Sequence, residues 1–241
     1  MHSALLDLAR TILPSAQRRR LHQTLRRLQR PAVLGTIRRT TPLSDSWGID
    51  RGTPVDRRFI EQFLAEHRAD IHGHVLEVKN RRYADRFGCG VDRCSVLDID
   101  PSNAAATICA DLAAARAIPS EHFDCFILTQ TLQFIFDTRA ALGHAHRILR
   151  SGGVLLATVP SMGRVDRELP EIDCWRFTAP ACKALFQELF AADRLTIRAY
   201  GNVLAGTAFW NGMAAEELSA DELDFRDDRF PVIIAIRAVR T

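Results

Sequence analysis

From His74 to Val239 the chain repeats one pattern: a short apolar run, often β-branched, followed by a polar or helical stretch. The runs are "HVLEV" (74–78), "SVLDI" (95–99), "TICADL" (107–112), "FDCFILT" (123–129), "GGVLLATVP" (152–160), "LTIRAY" (195–200) and "VIIAIRAV" (232–239). Helical segments, "TRAALGHAHRIL" and "APACKALFQELF", separate the later ones. Short strands alternating with helices predict crossover units and a mainly parallel sheet covered on both faces. In such sheets ligands bind beyond the carboxyl ends of the strands, near the switch in strand order.

That rule directs attention to the strand ends. The first strand ends at Glu77 and runs into "VKNRRY"; the second ends at Asp98, Ile99 and Asp100, carboxylates well placed to accept from ribose hydroxyls. The third carries Asp111 and Leu112, and the fourth offers Thr129, Gln130 and Gln133.

A chain of 241 residues, 47% hydrophobic, has enough apolar surface for one main domain. A net charge of +3 is too small to make nucleic acid the default partner. The six cysteines form no CxxC pair and several sit in apolar runs, which predicts a reduced, cytoplasmic protein. No export signal or membrane span is read, and no metal-ligand spacing is present.

Three regions are expected: a basic helical arm (1–40), an entry segment (41–70) and the α/β domain (71–241). The arm holds "QRRRLHQTLRRLQRP", with Leu21, Leu25 and Leu28 on one helical stripe among arginines. It predicts contact with a membrane surface or an acidic partner, or packing on its own domain. In the entry segment, "TPLSDSWGIDRGTPVD" leads into a helix with Thr53 as its expected N-cap and Pro54 at its first position. Trp47, Asp50 and Arg51 lie in the preceding loop, a candidate lid and substrate surface.

From about Gly73 to Ala238 this succession resembles the class I S-adenosylmethionine-dependent methyltransferases. "FDCFILTQTLQFI" followed by "RILRSGGVLLATVP" is similar to the family's fourth strand, helix and fifth strand. The resemblance implies a Rossmann-like, seven-stranded, mainly parallel sheet with the last strand antiparallel. It also implies S-adenosylmethionine as cofactor, Glu77 as the acid ending the first strand, Asp98 or Asp100 as the ribose-binding acid, and Asp111 as the acid near the adenine amine. "DCWRFTAPACKALFQELF" and "YGNV" resemble the branch found beside glycosyltransferases in polysaccharide and glycoside biosynthesis. That branch implies O-methylation of a sugar hydroxyl or a glycosylated small molecule, with a glycosyltransferase as a further partner.

The family's first loop carries glycines where this chain has Lys79, Arg81 and Tyr83. Three readings follow. The cofactor is still held, with Lys79, Asn80, Arg81 or Arg82 meeting its carboxylate; or the domain is a non-catalytic scaffold or glycan-binding module working with a glycosyltransferase; or the basic loop holds a nucleotide sugar. A hydroxyl acceptor needs its proton removed. The histidines lie at the wrong end of the sheet, on a helix, or in the arm and entry segment, so carboxylates are the expected bases. Asp166 and Asp173 after the fifth strand are the candidates, with Gln133 beside them and Trp175 and Arg176 as a sugar-binding pair.

Overall fold

The computed structural model describes residues 14–241; the segment read for an export signal lies outside them. The chain divides into two compact units, residues 1–41 and 42–241. The smaller contains α1 (Ser15–Gln29), which follows Pro14 and stops before Pro31. Proline fits both flanks because it cannot donate an N–H inside a helix. None of the helix's side chains is buried.

The larger unit begins at Pro42 and includes the entry segment. Its sheet contains β1 (Gly73–Val78), β2 (Val91–Asp98), β3 (Ile108–Cys109), β4 (Phe123–Thr129), β5 (Leu149–Pro160), β6 (Leu195–Tyr200) and β7 (Ile233–Val239). The order is β3-β2-β1-β4-β5-β7-β6. β7 pairs antiparallel with β5 and β6, and every other pairing is parallel. The expected mainly parallel sheet with an antiparallel last strand is therefore present. Strand order reverses between β1 and β4, which opens a crevice at their carboxyl ends.

Side chains alternate between the faces, as strand geometry requires. Leu76, Phe126, Leu128, Leu155 and Ile236 enter one core, which also holds residues of α4 (Thr138–Ile148) and α5 (Ala179–Gln187). Val75, Cys125, Ile127 and Leu156 enter the other, against α2 (Val55–Glu66) and α6 (Val203–Asn211). Helix α2 buries Phe59, Ile60, Phe63 and Leu64 at the spacing of a single helical face.

The start of α2 differs from the expectation. Pro54 occupies the cap position without a side-chain cap, and Thr53 bonds instead to Glu216, through its N–H (2.8 Å) and its hydroxyl (2.7 Å). A carboxylate arriving from far along the chain has displaced the local capping bond. The same seam continues where Pro54 bridges Ala214 and the Leu43 N–H meets Asn211 O at 2.7 Å.

Candidate functional site

A cavity of about 350 Å³ lies at the crevice predicted by the strand order. Lys79, just past β1, and Thr129 and Gln130, ending β4, form its sheet-side wall, with Pro160 of β5 beside them. Trp47, Ile49, Asp56 and Arg57 cover it from the entry segment; Met162, Arg164, Asp166, Asp173 and Arg176 close it from the loop after β5.

The backbone around the cavity is held in costly conformations. Four non-glycine residues among those described have left-handed φ, and three line this cavity: Trp47 (54°), Lys79 (70°) and Gln130 (45°). Such backbone costs of order 1–3 kcal/mol per residue and tends to cluster at functional sites.

Of the three positions where the family's first loop carries glycines, Lys79 alone has a left-handed backbone here; Arg81 has φ −104° and Tyr83 is helical. Lys79 adopts φ +70°, the conformation glycine ordinarily supplies, and the chain then turns into the short α3 (Arg82–Phe87). Glu77, 1% exposed, accepts the N–H groups of Tyr83 (3.0 Å) and Ala84 (2.8 Å) at that helix start. Burial pushes the Glu77 carboxyl up to about 7, against the opposing pull of the two N–H bonds. Arg81 is exposed and paired with Asp85 at 2.7 Å, so it does not plug the crevice. Tyr83 forms part of the cavity wall and stacks on Phe87, with ring centroids 6.3 Å apart.

The acids at the next two strand ends are engaged locally. Asp98 accepts from Asn103 Nδ2 (2.6 Å) and the Asp100 N–H (3.1 Å), which leaves lone-pair capacity for a further donor. Asp100 binds the Ser102 N–H and hydroxyl, and these bonds lower its pKa. Asp111 caps the turn at Ala113 (2.8 Å), and Leu112 is buried in the core. None of these four lines the cavity.

On the substrate side, Trp47 lines the cavity but its neighbours turn away. Asp50 accepts from the Ser44 hydroxyl, and Arg51 forms a two-bond pair with Glu217. The Arg164 guanidinium lies 4.1 Å from the Trp47 ring centroid and bonds the Asp45 carbonyl, tying the loop after β5 to the entry segment. Asp173 is clasped by Arg176 (2.5 and 2.8 Å) and accepts the Asp166 N–H (2.8 Å), which holds its carboxyl below the usual range. Asp166 in turn caps the N–H groups of Glu168 and Leu169. Trp175 stacks on Phe136 with centroids 5.5 Å apart and is not among the lining residues.

Three lining features remain chemically available. Gln133 is 6% exposed; its Nε2 donates to Gln130 O at 2.9 Å, leaving Oε1 buried without a partner. That bond fixes the orientation of the amide, since a carbonyl accepts only from the NH₂ end. Lys79 and Arg57 make no side-chain hydrogen bond or ion pair with another described residue. Asp56, in the first turn of α2, accepts only its neighbour's N–H at 2.8 Å, and burial raises its pKa above the ordinary value. Asp56 and Arg57 were missed in the sequence because "PVDRRF" reads completely as a helix start.

Residues 70–157 match the family model described as a methyltransferase domain. The fold of the chain is also that of several solved structures. A S-adenosylmethionine-dependent methyltransferase of Mesorhizobium loti is 16% identical, the match covering 80% of this chain and 100% of that one at TM-score 0.52. The N-methyltransferase NodS of Bradyrhizobium japonicum WM9, in complex with S-adenosylhomocysteine, is 14% identical over 82% and 93%, at TM-score 0.50. The [4+2]-cyclase SpnF is 14% identical over 83% and 86%, at TM-score 0.51. At these identities the likeness is one of fold. No curated protein matches the sequence. The family match ends three residues before the close of β5, so Met162–Arg176 and the covering segment Trp47–Arg57 lie outside it.

Proposed function

We propose that this chain is a S-adenosylmethionine-dependent methyltransferase that methylates a hydroxyl of a sugar or glycosylated small molecule. The observation that carries the reading is the buried, unpartnered Gln133 Oε1 in a cavity at the switch between β1 and β4. A buried acceptor without a partner costs about 1–3 kcal/mol, and a hydroxyl donor from a ligand removes that cost.

The residues fit the cofactor. Lys79 reproduces the backbone a glycine would adopt, Arg81 leaves the crevice open, and Asp98 retains acceptor capacity for a ribose hydroxyl. The free ammonium of Lys79 suits the methionine carboxylate, a charge-assisted pairing. S-adenosylmethionine, when bound, supplies an electrophilic methyl group.

The chain's own groups do the rest. Asp56 takes the acceptor's proton, its burial bringing its basicity closer to that task. Gln133 orients the hydroxyl, and Trp47, with the Arg164 guanidinium over its ring, forms part of the wall beside the polar side chains. The Asp173–Arg176 pair holds the loop that closes the site. Alignment of this kind is worth on the order of 7–11 kcal/mol in well-oriented systems. The neighbouring N-methyltransferase and cyclase widen the chemistry this fold hosts, and the acceptor assignment rests on the lining residues alone.

Transfer of a tritiated methyl group from S-adenosylmethionine to a panel of glycosides, amines and carboxylates tests the proposal. Incorporation into hydroxyl-bearing glycosides, lost in Gln133→Leu, is the expected result. Incorporation only into amines overturns the acceptor class. Cofactor binding without transfer to any acceptor favours a glycan-binding module that works beside a glycosyltransferase.

A further inference from the structure

The charge of this chain is divided by sign. Residues 1–41 hold nine arginines and one acid, a net of +8; the remaining residues hold 23 cations and 28 acids, a net of −5. An overall charge of +3 conceals that division.

Helix α1 concentrates the positive part. Arg18, Arg19, Arg20, Arg26 and Arg27 lie on it, Arg30 follows it, and no acid occurs within it. At helical spacing Leu21, Leu25 and Leu28 form a single stripe. Arg20 and Arg27 fall on one flank of that stripe, and Arg19 and Arg26 lie towards the opposite, polar face. The stripe is open: Leu28 is 72% exposed and Leu21 38% exposed, and the chain continues past the helix with Val33 at 86%. A 15-residue helix that buries nothing is marginal in water on propensity alone, so an ordered α1 calls for a surface to lie on.

We infer that α1 is an in-plane anchor for an anionic lipid bilayer. The leucine stripe enters the headgroup boundary while the flanking guanidinium groups stay at phosphate level, their aliphatic stems covering apolar surface. Phosphates alone would make no use of an exposed leucine stripe, and this feature favours lipid over nucleic acid. No helix among the described residues is long and apolar enough to cross a membrane, so the attachment is peripheral. The acidic remainder of the chain is repelled by the same surface, which leaves binding to the arm. This inference stands independently of the methyl-transfer reading.

The test is flotation of the full chain with vesicles of phosphatidylcholine, with and without phosphatidylglycerol. Binding is expected only with the anionic lipid, and it is expected to disappear at high salt. Replacing Arg19, Arg20, Arg26 and Arg27 by Gln should weaken it by about 600-fold, from roughly fivefold per cation near an anionic surface. Leu21, Leu25 and Leu28→Ser should also weaken it while the circular dichroism of the α/β fold is unchanged. Absence of flotation with anionic vesicles overturns the inference. So does binding that survives the serine variant and is displaced by an oligonucleotide, an outcome that makes the arm a nucleic-acid site.

Discussion

Glu77 Oε1 accepts the backbone N–H of Tyr83 at 3.0 Å, and through this bond the first strand sets the position of the helix that follows the degenerate loop. The pKa of this carboxyl is raised, so the folded state favours its protonated form. Stability from this group is therefore fully present below its ordinary value of 4.5 and falls as pH rises towards about 7. The span corresponds to on the order of 3 kcal/mol. Urea unfolding between pH 4.5 and 8 should show this decline, and Glu77→Gln should remove it from that window. A Glu77→Gln variant with the unaltered slope would assign the decline to other groups.

Lys79 combines a left-handed backbone with a free ammonium, and two substitutions separate these roles. Lys79→Gly relieves backbone strain and should leave stability equal or higher by up to about 1 kcal/mol. Lys79→Ala keeps the strain. Both lose the charge, and both should bind S-adenosylhomocysteine about tenfold or more weakly, the scale of a hydrogen bond to a charged group. Equal affinity in all three proteins would remove Lys79 from the cofactor site.

Asp56→Asn should lower kcat about 10²–10⁴-fold, the usual contribution of a general base. Cofactor affinity should not change. A pH–rate profile that keeps its acidic limb in the variant would place the base elsewhere.

The covering segment is fastened at Arg51–Glu217 and Thr53–Glu216, from a distant part of the chain. Arg51→Ala removes an exposed pair and should cost no more than about 1 kcal/mol of stability. It should raise KM for the acceptor more than it lowers kcat, and increase hydrogen exchange over residues 46–52. Unchanged exchange there would show that the Glu216 bonds suffice.

The sheet was legible because its information is local. Alternating apolar positions such as Leu76, Phe126 and Leu155 announce both strand and face, and strand direction follows from the helices between them. The crevice followed from topology, which brought Lys79, Thr129, Gln130 and Gln133 to one cavity. Which covering side chains face the cavity was legible only in part: Trp47, Asp166, Asp173 and Arg176 were named from the sequence and line it, while Asp56, Arg57 and Arg164 were not named. Trp47 and Arg51 share a loop, yet one lines the cavity and the other turns to Glu217, a partner 166 residues away. Asp100 and Asp111 illustrate the opposite case. Short acids at loop starts bond nearby N–H groups, and that local bonding looks identical in sequence to a ligand-facing carboxylate.

Calorimetric titration of the full chain with S-adenosylhomocysteine bears most directly on whether a glycine-free first loop still cradles the cofactor. Saturable binding at one site per chain, weakened by Asp98→Ala and by Lys79→Ala, is the predicted outcome. No detectable heat up to millimolar ligand, from protein shown to be folded, would contradict it.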